Sequence, residues 1–489
     1  MLNKGNLKQK AASSILWTSI QKFSIIGINF ISGIILARLL FPEDYGCIGM
    51  LSIFMMVANS LIDGGFASAL IQKKRPTQED YSTIFFWNVG MSIIMYIIIW
   101  IIAPFIAVFY KITILSKVLR VQGIVLIIHS FFIIQHNQLM KQFRFKKIMI
   151  INLISSITSL VITIILAYRG FGVWALVVQN ICMALMPTLI YWSSNKWFPS
   201  WIFSYNSFKE LFGFGVFMFI SRIINEFCNN IQGVIIGRFY NPTIMGFYSK
   251  AKTTEELAST SIANIIGQVT YPLYAEYQND KSQLKQVIRK MTSTIAFCSF
   301  PMLLLLVQFA RSIFYFLYSD KWLNSVLYFQ ILCFAGIAIC LQSVNSQAIA
   351  AIGKSKIMFI WTIIKRSIGL ILVLIGLIIG GMNGLLIGAV LQSWVIYLIN
   401  GYLVGKYIGY SIKIQMMDLF PILVLTLIST LCSYGIYLFI NNSDSLINIL
   451  FRLLIFITVY LYGAYIFKMK SLDYVKQAIF ILTKRNGNN

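Results

Sequence analysis

Ile31 to Gly46 reads ISGIILARLLFPEDYG, and Ile231 to Gly246, two hundred positions later, reads IQGVIIGRFYNPTIMG. Both copies follow I-x-G-[IV]-I-[LI]-[AG]-R and then x3-P-x3-G. Upstream, Asn29 matches Asn229, and Lys22 matches Arg222 in charge. Ser19–Gly46 set against Phe219–Gly246 gives eight identities in 28 gap-free positions. An isoleucine-rich chain yields isoleucine matches readily. A shared Asn, Arg, Pro and two Gly in one register instead mark a duplicated half. Each copy predicts an apolar helix with a cation near its end (Arg38, Arg238). A turn built on Pro42 and Gly46, or on Pro242 and Gly246, then starts the next helix.

Around this repeat the 489 residues are 58% hydrophobic and 11% charged, where a soluble domain carries about 25% charged residues. Apolar segments of roughly 20 residues recur from end to end, the length that crosses a ~30 Å hydrocarbon core as helix. Fourteen spans are predicted, at about 13–40, 47–70, 82–108, 117–140, 147–168, 172–193, 210–238, 244–271, 290–310, 325–352, 357–380, 383–405, 417–440 and 447–467. The first is too long for a signal-peptide core and has no small-residue cleavage site after it, so it reads as a retained span. The fold class is an all-α polytopic membrane protein with two six-helix lobes, residues 1–200 and 201–410. Two further helices follow in 411–470, then an amphipathic tail at 471–489. Each half holds an even number of spans, so the halves are parallel repeats about an axis along the membrane normal.

The formal charge of +25 raises the question of nucleic acid, and its placement answers it. With the N-terminus inside, 25 cations fall on inner loops and nine on the outer side. That is the positive-inside pattern, with both termini cytoplasmic in a cell membrane. Charge spread thinly over many short loops excludes a nucleic-acid surface. Tryptophans 17, 87, 174, 192, 197, 322 and 394 sit near span ends, as an interfacial belt requires. The seven cysteines lie mostly inside apolar segments with no CxxC, as small hydrophobes do.

Six cations belong to no loop: Lys22, Arg222, Lys250, Lys252, Lys365 and Arg366. Facing lipid near mid-membrane, the six together would cost roughly 15–20 kcal/mol. They must therefore face water, a counter-charge or both. Arg222 with Glu226, and Lys252 with Glu256, are spaced i, i+4, and Glu255 adds an acid nearby; these read equally as structural struts. Lys22, Lys250, Lys365 and Arg366 have no acid at helical spacing. Asp63, in a DGG turn, can reach one of them across helices, and Lys250 can alternatively snorkel to the outer interface. The four intramembrane acids leave an excess of two positive charges, which implies an anionic cargo, most simply a phosphate or diphosphate.

Other signals are weaker. His129 and His136 lie seven residues apart on one face, a poor metal site without a carboxylate and an ordinary pair of packed histidines. Asn225, Asn229, Asn230 and Gln232 in one span, and Gln342, Asn345 and Gln347 in another, suit either cavity lining or interhelical glue. No GxSxG, HExxH or phosphate-cradling glycine loop is present, and no large outer loop carries paired carboxylates. No enzyme activity, cofactor or metal is expected.

ARLLFPEDYG after a span bearing Gln21-Lys22, then DGGFASALIQKK (Asp63–Lys74), resembles the Wzx-type polysaccharide exporters. IIGRFYNPTIMGFYSKA (Ile235–Ala251) and VTYPLYAEYQND (Val269–Asp280) extend the resemblance over essentially the whole chain. These exporters form the lipopolysaccharide and teichuronic-acid branch of the multidrug/oligosaccharidyl-lipid/polysaccharide (MOP) superfamily. One departure is Phe41, where the family usually has Gly before the Pro. The resemblance implies two lobes in a V and flipping of undecaprenyl-diphosphate-linked oligosaccharide to the outer leaflet. On that reading Lys22 and Arg222 hold the diphosphate, with Lys250, Lys252, Lys365 and Arg366 as further candidates. Asp63, Glu226, Glu255 and Glu256 are the counter-charges or carriers of a coupling Na+ or H+, and Arg38, Pro42, Gly46, Arg238, Pro242 and Gly246 form the repeated turn or gate. Partners are the lipid-linked oligosaccharide, the phospholipid membrane and polysaccharide-assembly proteins. The rival readings are a drug exporter, which would want an acidic or apolar cavity, and a membrane polymerase or ligase, which would lack the duplication.

Overall fold

A computed structural model describes residues 4–439 and 446–476. The chain forms two compact units, Met1–Ser249 and Lys250–Asn489. Among the described residues, eleven helical stretches are long and apolar enough to cross a membrane. As helix, each such segment satisfies its backbone groups internally, without water.

In the first unit the helices are α1 (Lys4–Leu39), α2 (Pro42–Asp63), α3 (Phe66–Gln72), α4 (Gln78–Tyr110), α5 (Ile114–Lys141), α6 (Phe145–Tyr168), α7 (Val173–Ser194) and α8 (Tyr205–Phe239). α9 (Pro242–Glu276) starts here and continues into the second unit. α4 packs on α5, α6 on α7, and α1 on α6, while α2 lies along α8. The first compact unit thus includes α8, which by the repeat begins the second half. The predicted span at 47–70 is interrupted: Gly64 and Gly65 take φ of 54° and 79°, ending α2 and starting the short α3. Glycine adopts that left-handed turn without steric penalty, which is the structural content of the DGG triplet. Phe66, Phe85 and Leu211 are buried beside Trp87, Trp192, Trp197 and Phe208, an aromatic core under the loop end of the unit.

The second unit adds α10 (Lys281–Gln308), α11 (Ala310–Tyr318), α12 (Ser325–Ala351), α13 (Ser355–Ile408), α14 (Ile412–Phe439) and α15 (Leu446–Ile466). α13 is two helices joined at Gly380 and Gly381, the latter at φ 56°. A methyl at Gly376 would strike the Gly384 carbonyl, and one at Gly388 the Leu372 backbone. Contacts symmetric about residue 380 make this an antiparallel hairpin, matching the predicted spans 357–380 and 383–405. α11 lies in what the sequence presents as a plain outer connection; it is nine residues long and buries Phe314 and Tyr318. A network of neutral groups ties this unit together. Gln415 accepts from Asn345 and Tyr397, both at 3.0 Å, and donates to the Tyr410 carbonyl. Of the two uses open to Asn345, interhelical glue is the one observed. Residues 470–476 open a further helical segment, with Leu472 and Val475 packed on the core; the rest of the expected tail, 477–489 with Lys484 and Arg485, lies outside the described residues.

Candidate functional site

The two copies of the repeated turn pack against each other. A methyl placed on Gly46 would land on the carbonyl of Pro242, and one on Gly246 would land on the carbonyl of Pro42. Each glycine therefore admits the other copy's proline backbone, and no larger residue fits without moving a helix end. The copies cap their helices differently. Asp44 reaches back to accept from Phe41 N at 3.0 Å, whereas Asn241 accepts from Ile244 N at 2.9 Å. Phe41 is exposed and extended, so the family's usual glycine is not needed at that position. Thr243 donates to Glu43 across the contact at 3.1 Å. Farther along, Gly49 faces Ser249, and Gly237 faces Met50 and Tyr110. Arg38 and Arg238 are exposed at the edge of this clasp, Arg238 lying over the Phe109 ring at 5.1 Å.

At the other end of α2 the backbones of Gly65 and Gly215 meet. Here Arg222 Nη1 donates to Asp63 Oδ2 at 2.7 Å. The sequence offers Glu226, one turn away on the same helix, as the partner of Arg222, and the structure corrects this. Asp63, the last residue of α2, reaches across to α8 and takes the guanidinium, while Asp63 Oδ1 lies 3.4 Å from Ala67 N. The Arg222 side chain remains 53% exposed and Asp63 16%. One Nη1 contact leaves most of the guanidinium's five donors available. His129 of α5 packs edge-on against the Phe132 ring, with centroids 4.6 Å apart. His136 instead bonds the Tyr191 hydroxyl at 2.8 Å, the packing role expected of it. Lys22 is partly exposed in α1, and among the described residues it makes no ion pair. Glu226 is likewise partly exposed.

The loop cations below this site have structural work. Lys73 bridges Asp80 at 3.1 Å and Glu210 at 2.9 Å. Burial alone would lower its ammonium, but the hydrogen bonds to Glu210 and Asp80 outweigh that and hold it above the usual lysine value. Lys141 donates to the carbonyls of Leu70, Ile71 and Lys73 at the end of α3, as a cation at a helix C-terminus should.

The second unit treats its cations differently. Lys365 is 8% exposed and donates to Asn400 Oδ1 at 2.8 Å. Lys250 is 5% exposed, its ammonium 4.0 Å from the Tyr318 ring centre and 5.7 Å from that of Trp322. It does not snorkel, because α11 and the residues after it cover it. Lys252 pairs with Glu256 at 3.9 Å, as the i, i+4 spacing predicts. Arg366 is partly exposed. Glu255 is 3% exposed and packs on Gly336 beside Ser259. Arg452, assigned by sequence to the outer side, is buried inside α15 over the Phe309 ring. An apolar cavity of about 460 Å³ runs between α10 and α15, lined by residues such as Pro301, Leu305, Leu453 and Ile457. Among the described residues no cluster of three His, Cys, Asp or Glu exists to hold a metal.

A chain that is helical throughout its described secondary structure, with eleven stretches long and apolar enough to cross a membrane, belongs to the class of multi-pass membrane proteins. Within that class, the chain belongs to the polysaccharide biosynthesis protein family, whose model matches residues 35–327. It is 25% identical over 418 residues to the teichuronic acid biosynthesis protein TuaB of Bacillus subtilis (strain 168), covering 85% of this chain and 86% of that one. The lipopolysaccharide biosynthesis protein WzxC of Escherichia coli (strain K12) is 21% identical over 439 residues, 88% of each chain. Among solved structures, the lipid II flippase MurJ in an inward closed conformation shares the fold, with a TM-score of 0.76 at 17% identity over 93% of this chain and 98% of that one.

Proposed function

We propose that this protein is a flippase that carries an undecaprenyl-diphosphate-linked oligosaccharide across the cytoplasmic membrane for cell-surface polysaccharide assembly. Fourteen spans cross the bilayer, counting both arms of α13 together with α8 and α9, and both termini are cytoplasmic. The two six-helix halves, residues 1–200 and 201–410, work by alternating access, and the clasped turns at Pro42–Gly46 and Pro242–Gly246 act as a gate. The named relatives of polysaccharide biosynthesis and the lipid II flippase fold support this reading. The observation that carries it is Arg222: a cation inside an apolar helix, half exposed and held by one contact to one acid. A guanidinium in that setting is a site for phosphate oxygens.

Arg222 and Lys22 hold the diphosphate, the glycan follows through the polar side of α8, and the prenyl tail stays among apolar helices. Charge-assisted contacts replace the water that the headgroup sheds on entering. Asp63, Glu226 and Glu255 are the candidate carriers if Na+ or H+ drives the cycle, and assembly proteins receive the product. The test is the sidedness of lipid-linked repeat units in a deletion strain complemented with Arg222→Ala. Units trapped on the cytoplasmic face, with the variant present in the membrane at wild-type level, are expected. Export at the wild-type rate by an Arg222→Ala, Lys22→Ala double variant refutes the assignment.

A further inference from the structure

A flippase for diphosphate-linked cargo works in a membrane crowded with phospholipids, each carrying one phosphodiester charge. A bare arginine would bind those headgroups as readily as it binds the rarer diphosphate. Arg222 is not bare. Asp63 occupies one edge of its guanidinium at 2.7 Å, and the pair as a whole is neutral. The carboxylate sits behind the cation, 16% against 53% exposed, so an arriving anion meets the guanidinium first. Asp63 is also fixed in place: it ends α2, the Gly64–Gly65 turn follows at positive φ, and Gly65 abuts Gly215 of α8. It cannot swing aside with an incoming ligand without moving a helix end.

We infer that Asp63 is a specificity-determining residue, an internal carboxylate that yields Arg222 to a diphosphate and withholds it from a single phosphodiester. A single phosphodiester can take the open guanidinium edge or the edge Asp63 holds but not both. At the open edge it makes only the contacts one phosphoryl group reaches, and displacing Asp63 exchanges one charge-assisted contact for another and strands a largely buried carboxylate. A neutral pair offers it no net attraction in return. A diphosphate brings a charge on each phosphoryl group, so it can engage the unused guanidinium edge while it competes for the edge Asp63 holds. The inference rests on the proposed function for the identity of the cargo headgroup.

The test measures binding of farnesyl diphosphate and of dihexanoylphosphatidylglycerol to the full-length protein in detergent, by thermophoresis. Wild type is expected to prefer the diphosphate. Asp63→Asn should tighten phosphatidylglycerol binding about fivefold, the scale of one partly exposed ion pair, and narrow the preference accordingly. Asp63→Glu, which keeps the charge, should keep the preference. Asp63→Ser serves as the neutral variant if Asp63→Asn is not monodisperse. Unchanged phosphatidylglycerol affinity in the neutral variant, or equal weakening of both ligands, overturns the role of Asp63. Full diphosphate binding by Arg222→Ala would instead overturn the site assignment itself, so the two failures read differently.

Discussion

Arg222 and Lys365 are both cations that the sequence places inside membrane spans, Lys365 with Arg366 beside it, and the structure gives them opposite settings. Arg222 keeps 53% of its side chain exposed and meets a carboxylate on another helix. Lys365 is 8% exposed and meets a neutral amide, Asn400. Lys250 is buried as well, with its ammonium over the Tyr318 ring. A cation in a membrane helix therefore has two solutions here: remain exposed beside an acid, or be sealed by dipoles and rings that stand in for water. Only the first leaves donors for a ligand.

The largest contrast should be in transport. Arg222→Ala is expected to lower export about 30-fold or more, the loss of one or two charge-assisted contacts to phosphate. The midpoint of thermal unfolding in detergent should fall only modestly, because Arg222 is half exposed, although its loss leaves the 16%-exposed Asp63 carboxylate unpaired. Lys365 should show the reverse. Lys365→Met strands the Asn400 oxygen in an apolar setting and should cost about 1–3 kcal/mol, read as a lowered unfolding midpoint. Adding Asn400→Leu removes the other partner and should recover most of that loss. If Lys365→Met instead lowers export with stability unchanged, the sealed cation is part of the cargo path and the contrast fails.

Helix positions were legible because the apolar runs are long and their breaks are chemical. The predicted boundary near residue 380 is the Gly380–Gly381 bend, and the DGG triplet is the break between α2 and α3. The pairing of Lys252 with Glu256 was legible too, since i, i+4 spacing is a local property. Partners across helices were not. Asp63 lies 159 positions from Arg222, and nothing local ranks it above Glu226. The repeat announced two similar turns without announcing that they touch, because duplication encodes likeness and not proximity. Its shared glycines were the available signal: a residue four after the proline, small in both copies, is what a reciprocal backbone contact requires. α11 escaped because nine aromatic-rich residues are too short for a periodic pattern to stand out.

The smallest expected effect tests whether an ion pair between cation and acid is enough to make a binding site. Lys252 has an acid partner, as Arg222 does, but at 3.9 Å and on its own helix. Its side chain is 28% exposed and that of Glu256 44%. At that separation the pair is a weak helix-surface contact, worth at most about 0.5 kcal/mol. The coupling between Lys252 and Glu256, read from the midpoints of the Lys252→Gln and Glu256→Gln variants, should therefore lie within the scatter of replicate melts, and Lys252→Gln should leave export near the wild-type rate. A Lys252→Gln, Glu256→Gln double variant should equal the sum of its singles. The decisive difference from Arg222 is then the origin of the acid. A same-helix acid moves with its cation and holds it in one place, whereas Asp63 belongs to another helix, so its hold on Arg222 depends on how α2 packs against α8. Strong loss of export from Lys252→Gln would show that the pair in α9 is also met by cargo, and that a local acid does not disqualify a cation from that role.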